Sequence, residues 1–247
     1  MDKKFEFKEL DIEGAEILDV IAHANKFNKW MYDTINPYCK GNILEIGSGI
    51  GNISQFFIEN NQTITVTDIR DNYCEILTKK FSPHNNLKGI LNMDLTHPNF
   101  DIEYQHLLAT FDSVFALNVV EHIEDDNLAI SNCYKLLKNN GNLIILVPAY
   151  QFLYNQFDVE LEHYRRYTLK QLGNIFKNNS FKLINSQYFN LAGILGWYVS
   201  GKLQKNKSIP KDQMSLYNTL VPIFKLFDKL SLNKAGLSVI QVGVKTA

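Results

Sequence analysis

Residues Asn42–Asn52 read NILEIGSGIGN, and this stretch decides the fold. Ile43, Leu44 and Ile46 form an apolar run that reads as a buried strand. Gly47-Ser48-Gly49-Ile50-Gly51 reads as a tight turn into a helix, since glycine takes unusual dihedrals and lets a ligand approach the backbone. A second apolar run, Ile64-Thr65-Val66, ends at Asp68, where a carboxylate can accept hydrogen bonds from a ribose. Strand, glycine turn and strand-end acid, in that order, point to a nucleoside-bearing ligand.

Glycine spacing separates two ligand classes. A dinucleotide fingerprint places its third glycine where Asn52 stands here. The chain instead carries Glu45-x-Gly47-x-Gly49-x-Gly51, with an acid ahead of the first glycine. A pyrophosphate prefers a bare helix N-terminus, whereas an acid suits an amino group and a sulfonium cation. In these residues the chain resembles the class I S-adenosylmethionine-dependent methyltransferases. The resemblance implies a Rossmann-like α/β fold, a mostly parallel seven-stranded sheet with helices on both faces and an antiparallel C-terminal hairpin. It also implies S-adenosyl-L-methionine as cofactor, with Glu45, Gly47, Ser48, Gly49, Gly51 and Asn52 around its methionine part. Asp68, with Ile69 beside it, would clamp the ribose, Met93-Asp94 would meet the adenine, and Asn118 would face the sulfonium.

A chain of 247 residues holds one α/β domain with elaborations. Its formal net charge of −1 speaks against duplex nucleic acid as a partner. Three isolated cysteines, Cys39, Cys74 and Cys133, without a CxxC pair suit a reducing, cytoplasmic setting. MDKKFEFKELDIEG lacks the apolar core of a signal peptide, and the uncharged stretch 183–201 is too polar to span a membrane.

Ile17, Val20, Ile21, Ala24, Phe27, Met31 and Ile35 recur at helical spacing, predicting one amphipathic helix over 14–36 within an N-terminal cap, residues 1–41. Strands over 42–46, 63–67, 87–91, 112–117 and 142–147 alternate with helices over 50–60, 71–80 and 126–138, the pattern of a parallel sheet. A helix over 169–178 and strands over 181–189 and 237–245 complete the core, which spans 42–190 and 236–247. The aromatic segment 191–235 is then an insertion long enough to be functional, read as a lid over the acceptor.

Two stretches carry the candidate acceptor chemistry. Asn118-Val119-Val120-Glu121-His122 follows the fourth strand, and its motif resembles the small-molecule branch of the family. His122 is the first choice for a general base, because imidazole titrates near neutral pH. Pro148-Ala149, Asp158 and His163-Tyr164-Arg165-Arg166-Tyr167-Thr168 follow the fifth strand and resemble a methyltransferase subgroup. That subgroup also carries Gly-Trp and Leu-Val-Pro, matched by Gly196-Trp197 and Leu220-Val221-Pro222. His163 and Tyr164 are further catalytic candidates; Asp158, Arg165, Arg166 and Trp197 are acceptor candidates, since arginine forks suit carboxylate or phosphate.

Asp125-Asp126-Asn127 precedes an apolar-periodic helix, so capping rather than metal binding is expected, and no metal is assigned. Tyr134 and Lys138 mimic a dehydrogenase pair but sit on a helix before the fifth strand. Trp197, Tyr198, Ile223, Phe224 and Phe227, with Lys202, Lys205, Lys207 and Lys211 nearby, form either a lid core or a peripheral membrane contact. The expectation is methyl transfer to a small-molecule or lipid- or saccharide-linked acceptor, on oxygen. The alternatives are an NAD-dependent oxidoreductase and a non-catalytic binding module.

Overall fold

The structure, a computed structural model, describes residues 12–199 and 211–246. The helices α1 (Ile12–Ala22) and α2 (Asn25–Ile35) precede strand β1 (Ile43–Ile46). Then come α3 (Ser54–Glu59), β2 (Ile64–Asp68), α4 (Asp71–Phe81), β3 (Leu87–Asn92), a short α5 (Phe100–Glu103) and β4 (Phe111–Leu117). The chain continues through α6 (Asp126–Leu136), β5 (Leu137–Pro148), a short α7 (Gln156–Glu160), α8 (Leu169–Asn178) and β6 (Phe181–Phe189). Helices α9 (Leu191–Trp197) and α10 (Lys211–Leu230) lead to the final strand β7 (Ser238–Lys245).

Seven strands form one sheet in the order β3-β2-β1-β4-β5-β7-β6. All neighbours are parallel except β7, which runs antiparallel to both β5 and β6. This is the Rossmann-like sheet with a C-terminal hairpin that the sequence predicts. Strand alternation divides the core between two faces. Leu44, Ile46, Val114, Leu143 and Ile145 pack with Leu136 and Phe176 on one side. Ile43, Val66, Phe115 and Ile144 pack with Ile35 and Phe57 on the other. The order reverses direction between β1 and β4, so the C-terminal ends of β1, β2, β4 and β5 border a crevice, where open α/β sheets hold ligands.

The predicted N-terminal helix over 14–36 is a correction: it breaks at His23–Ala24 into two. Asn218 of α10 supplies the reason, its Oδ1 accepting from the amides of Lys26 (2.9 Å) and Phe27 (3.1 Å) at the new N-terminus. Asn28 Nδ2 donates to the Ile21 carbonyl at 2.8 Å, closing the first helix. These bonds satisfy helix-end groups that hydrophobic periodicity does not report. The helix predicted over 126–138 ends earlier, at Leu136. Asp125 is its N-cap, accepting from Leu128 N at 2.9 Å, while Asn127 bonds Asn179 and Asp126 bonds Tyr167 and Arg165.

The segment 191–235 contains α9 and α10, and Asp228 of α10 joins them. Its carboxylate accepts from Asn190 N (2.6 Å) and Leu191 N (2.7 Å), at the first turn of α9, where a negative charge is favoured. Asn190 takes left-handed dihedrals and meets the Tyr217 hydroxyl. Lys202, Lys205 and Lys207 lie outside the described residues. No helix among the described residues is long and apolar enough to cross a membrane.

Candidate functional site

A cavity of about 1210 Å³ opens at the strand C-terminal ends. That exceeds the ordinary span of a single small-ligand pocket and leaves room for two reactants. Its lining joins Glu45, Gly47, Ser48, Gly49, Asn52, Asp68, Ile69, Met93, Asp94 and Asn118 from the strand ends. It also includes His122, His163, Tyr164, Arg166 and Trp197. The cofactor and acceptor candidates therefore share one space, with Gly51, Asp158 and Arg165 outside the lining.

The glycine turn is shaped by backbone need. Gly49 has φ +53°, and a Cβ there would stand 2.9 Å from Leu18 Cδ1. Gly51 has φ +80°, and its Cβ would fall 2.3 Å from Phe81, so it serves packing behind the turn rather than lining the cavity. Asp68 is buried and already holds this turn: Oδ2 accepts from Gly49 N at 2.9 Å and Oδ1 from Arg70 N at 3.0 Å. Each carboxylate oxygen keeps a further lone pair for a ribose hydroxyl. Burial raises the Asp68 pKa against those two bonds.

Glu45 is buried beside the turn, where loss of hydration pushes its pKa up to about 7 against a short hydrogen bond from Ser54. Ser48 Oγ is buried and lacks a hydrogen-bond partner, although the hydroxyl lies near enough to Glu45 to favour its charge. A cationic or polar ligand atom at this turn would satisfy it. Asp94 Oδ1 accepts from Thr96 N and Oγ1, both at 2.7 Å, and Met93 is buried beneath it. Asn118 takes left-handed dihedrals (φ +54°) and is exposed in the cleft. The first helix pair also contributes Ile17, Leu18, Ile21 and Met31, with Asn52 Nδ2 donating to the Leu18 carbonyl at 3.0 Å. An N-terminal cap over 1–41 does not by itself announce these residues; Asn52, standing where a dinucleotide fingerprint has glycine, is the local signal for them.

The side of the cavity that carries the acceptor candidates is assembled by two backbone ties. Tyr150 and Tyr167 are joined by Tyr150 N donating to Tyr167 O and Tyr167 N donating to Pro148 O, each at 2.8 Å. Tyr164 N donates to Glu121 O at 2.8 Å. The His163–Arg166 stretch is thereby laid against the turn Val120–His122 that leaves β4. The rings of His122 and His163 stand edge to face with centroids 4.7 Å apart.

Asp158 is fully buried behind His163. Its Oδ1 accepts from His163 Nδ1 (2.8 Å) and Arg166 Nε (2.7 Å), and its Oδ2 from Asn155 N (2.9 Å). Burial would raise its pKa, but the His163 hydrogen bond and the Arg166 charge hold it below the usual range. Asp158 thus positions other residues and does not border the cavity. Arg166 is buried, donates to the Ala149 carbonyl, and lies 4.6 Å from the Trp197 ring centroid. Arg165 turns elsewhere, donating to the Glu124 carbonyl and pairing with Asp126 at 2.8 Å.

His122 lies open to the cleft but is crowded by protein, which lowers its pKa; the charge of protonated His163 acts the same way. Burial also lowers the His163 pKa, against its bond to Asp158. Both rings are therefore neutral near pH 7. Glu121, the motif residue that sequence reasoning passed over for His122, is fully buried, and burial pushes its pKa up to about 8. Tyr134 and Lys138 lie outside the cavity, bonded to Thr246 O and Asp112.

Residues 44–143 match the family described as methyltransferase domain. Two curated proteins are similar over part of the chain. A probable polyketide synthase 42 of Dictyostelium discoideum is 28% identical over 49% of this chain and 5% of its own length. The mitochondrial ubiquinone biosynthesis O-methyltransferase of Schizosaccharomyces pombe is 28% identical over 44% of this chain and 39% of its own. The chain thus spans well under half of either relative. Among solved structures, phosphoethanolamine N-methyltransferase 2 of Haemonchus contortus, in complex with S-adenosyl-L-methionine, overlays with a TM-score of 0.59 at 18% identity. That overlay covers 89% of this chain and 52% of the other. The fold is that of the S-adenosylmethionine-dependent methyltransferases.

Proposed function

We propose that the protein transfers a methyl group from S-adenosylmethionine to a hydroxyl of a small-molecule or lipid- or saccharide-linked acceptor. One observation carries this reading: a single cavity is bordered by the glycine turn with Asp68 on one side and by His122, His163 and Tyr164 on the other. The donor methyl is already activated as a sulfonium, so rate comes mainly from holding acceptor and donor in line. An acceptor hydroxyl must also lose a proton; His122 and His163 border the cavity unprotonated and able to accept one, although the crowding that lowers both pKa values makes them weaker bases than free imidazole. Oxygen is chosen on this ground; the named relatives methylate oxygen in one case and nitrogen in another.

In this reading Trp197, Met214 and Tyr217 cover the acceptor as a lid, since both helices of 191–235 contribute to the lining. Thermal unfolding with S-adenosylhomocysteine, with NAD or with neither tests the donor class, because a ligand of the native state raises its melting temperature. Stabilisation by S-adenosylhomocysteine alone is expected; stabilisation by NAD alone would overturn the reading. Transfer of labelled methyl to phenolic, carboxylate and amine acceptors then ranks the acceptor atom.

A further inference from the structure

We propose that Glu121, His122 and His163 form a binding site for a divalent first-row transition cation on the acceptor side of the cleft. The candidate ligand atoms of these three residues lie within 4.8 Å of one another. Modest side-chain rotation brings such atoms to bonds of about 2.0–2.2 Å around one ion. Glu121 is 0% exposed, and neither carboxylate oxygen has a hydrogen-bond partner. A buried carboxyl without hydrogen-bond partners is costly, and a cation that displaces its proton relieves it directly.

Both histidines are anchored through one ring nitrogen. His163 Nδ1 meets Asp158 Oδ1 at 2.8 Å, and His122 bonds the Leu161 backbone. Each ring keeps a second nitrogen whose lone pair can face an ion. Asp158 is itself fixed by Arg166 and Asn155 N, the kind of outer carboxylate that orients a metal-bound histidine. Arg166 opposes a cation, but its charge is paired with Asp158; Arg70 is felt by His122 from the donor side. Two imidazoles with a single carboxylate favour zinc, cobalt or nickel over magnesium or calcium. Three protein ligands also leave a coordination position open.

The use of the ion rests on the methyl-transfer reading, whereas its binding does not. A cation bound there would acidify an acceptor hydroxyl, whose proton passes to bulk water. The resulting oxygen would attack the methyl carbon as the carbon–sulfur bond breaks, converting sulfonium to thioether. His122 would then act as a ligand and not as a free base.

The test uses the full chain, stripped with chelator and titrated with Co²⁺ by visible absorption and with Zn²⁺ by calorimetry. The site requires saturable binding near one equivalent, with ligand-field bands and no thiolate charge-transfer band from the cysteines. Glu121→Gln and His122→Ala should each weaken binding at least about tenfold. Glu121→Gln keeps shape while removing a carboxyl without hydrogen-bond partners, so that variant should retain its melting temperature, and both variants should retain their stabilisation by S-adenosylhomocysteine. No saturable binding, unchanged binding in both variants, or a thiolate signature overturns the site. Methyl transfer is no part of the readout: cation binding without stabilisation by S-adenosylhomocysteine supports the site and refutes the donor reading, and stabilisation by S-adenosylhomocysteine without cation binding does the reverse.

Discussion

The two halves of the cleft are built by different means. The proposed donor half is made of strand ends and backbone, with Asp68 closing the glycine turn through bonds from Gly49 N and Arg70 N. The proposed acceptor half is made of side chains from separate segments: Glu121 and His122 after β4, His163 and Arg166 after β5, and Trp197 from α9. Backbone sites are specified locally, within a few residues of sequence. Side-chain sites depend on loops being pinned, here by Tyr164 N to Glu121 O and by the Tyr150–Tyr167 ties. Substitutions should therefore separate the halves, the donor side through affinity and the acceptor side through stability and turnover.

The largest effect should follow Asp158→Ala. Removing one partner leaves the Arg166 charge buried and unpaired, which costs about 3–5 kcal/mol of folding stability. Urea unfolding measures it, and a loss below about 1 kcal/mol would mean that this half does not depend on a buried ion pair. Next comes Asp68→Ala, which removes the acceptor of the Gly49 and Arg70 amides together with the proposed ribose acceptor. Affinity for S-adenosylhomocysteine should fall by about 1.5–3 kcal/mol by calorimetry. An unchanged affinity would confine Asp68 to holding the turn.

The same contrast explains what the sequence made legible. The alternation of strands with helices and the strand-end positions of Glu45, Gly47, Gly49 and Asp68 follow from period, spacing and turn chemistry, all local signals, whereas the seven-stranded sheet with its hairpin follows from the family resemblance. The break at His23–Ala24 depends on Asn218, and the start of α9 depends on Asp228, each far away in sequence. Periodicity over 14–36 is continuous because both helices bury the same kind of face, so nothing local marks the break. Asp158 and Arg165 looked like acceptor residues by composition. Only tertiary structure shows that one is buried behind His163 and the other turned toward Asp126. Glu121 was legible as a motif residue, but not as the buried carboxylate of a cluster with two histidines.

A smaller, pH-dependent effect separates the donor half further. Glu45 binds its proton more tightly in the folded chain, at about 7, than an ordinary carboxyl does. The stability it contributes is fully present below the unfolded carboxyl pKa and is lost as pH rises through about 7. His122 and His163, with lowered values, act in the opposite sense: their contribution is present above the unfolded histidine pKa and is lost as pH falls. Comparing ligand-free wild type with Glu45→Gln cancels the histidine contribution. The variant should lose less stability between pH 5 and 8 than wild type does, measured by unfolding at each pH. Parallel curves would show that Glu45 does not titrate in this window.

The smallest effect should come from Arg165, and its neighbour supplies the contrast. Arg165 borders no part of the cavity, is partly exposed, and pairs with Asp126 across the outer side of the loop. The pair is mostly buried and Arg165 also holds the Glu124 carbonyl, so Arg165→Ala should cost about 1 kcal/mol of stability while leaving acceptor kinetics within about twofold. Arg166 borders the cavity, holds Asp158 and stacks near Trp197, so Arg166→Lys should disturb the acceptor side. Lysine keeps the charge but loses the planar fork that meets both Asp158 and the Ala149 carbonyl. The expected pattern is an acceptor KM raised by Arg166→Lys and not by Arg165→Ala, with S-adenosylhomocysteine affinity unchanged in both. If Arg165→Ala raised the acceptor KM as strongly as Arg166→Lys, the acceptor would have to reach the Asp126 face of the loop. The division of the cleft would then be wrong on that side, while the donor half would stand.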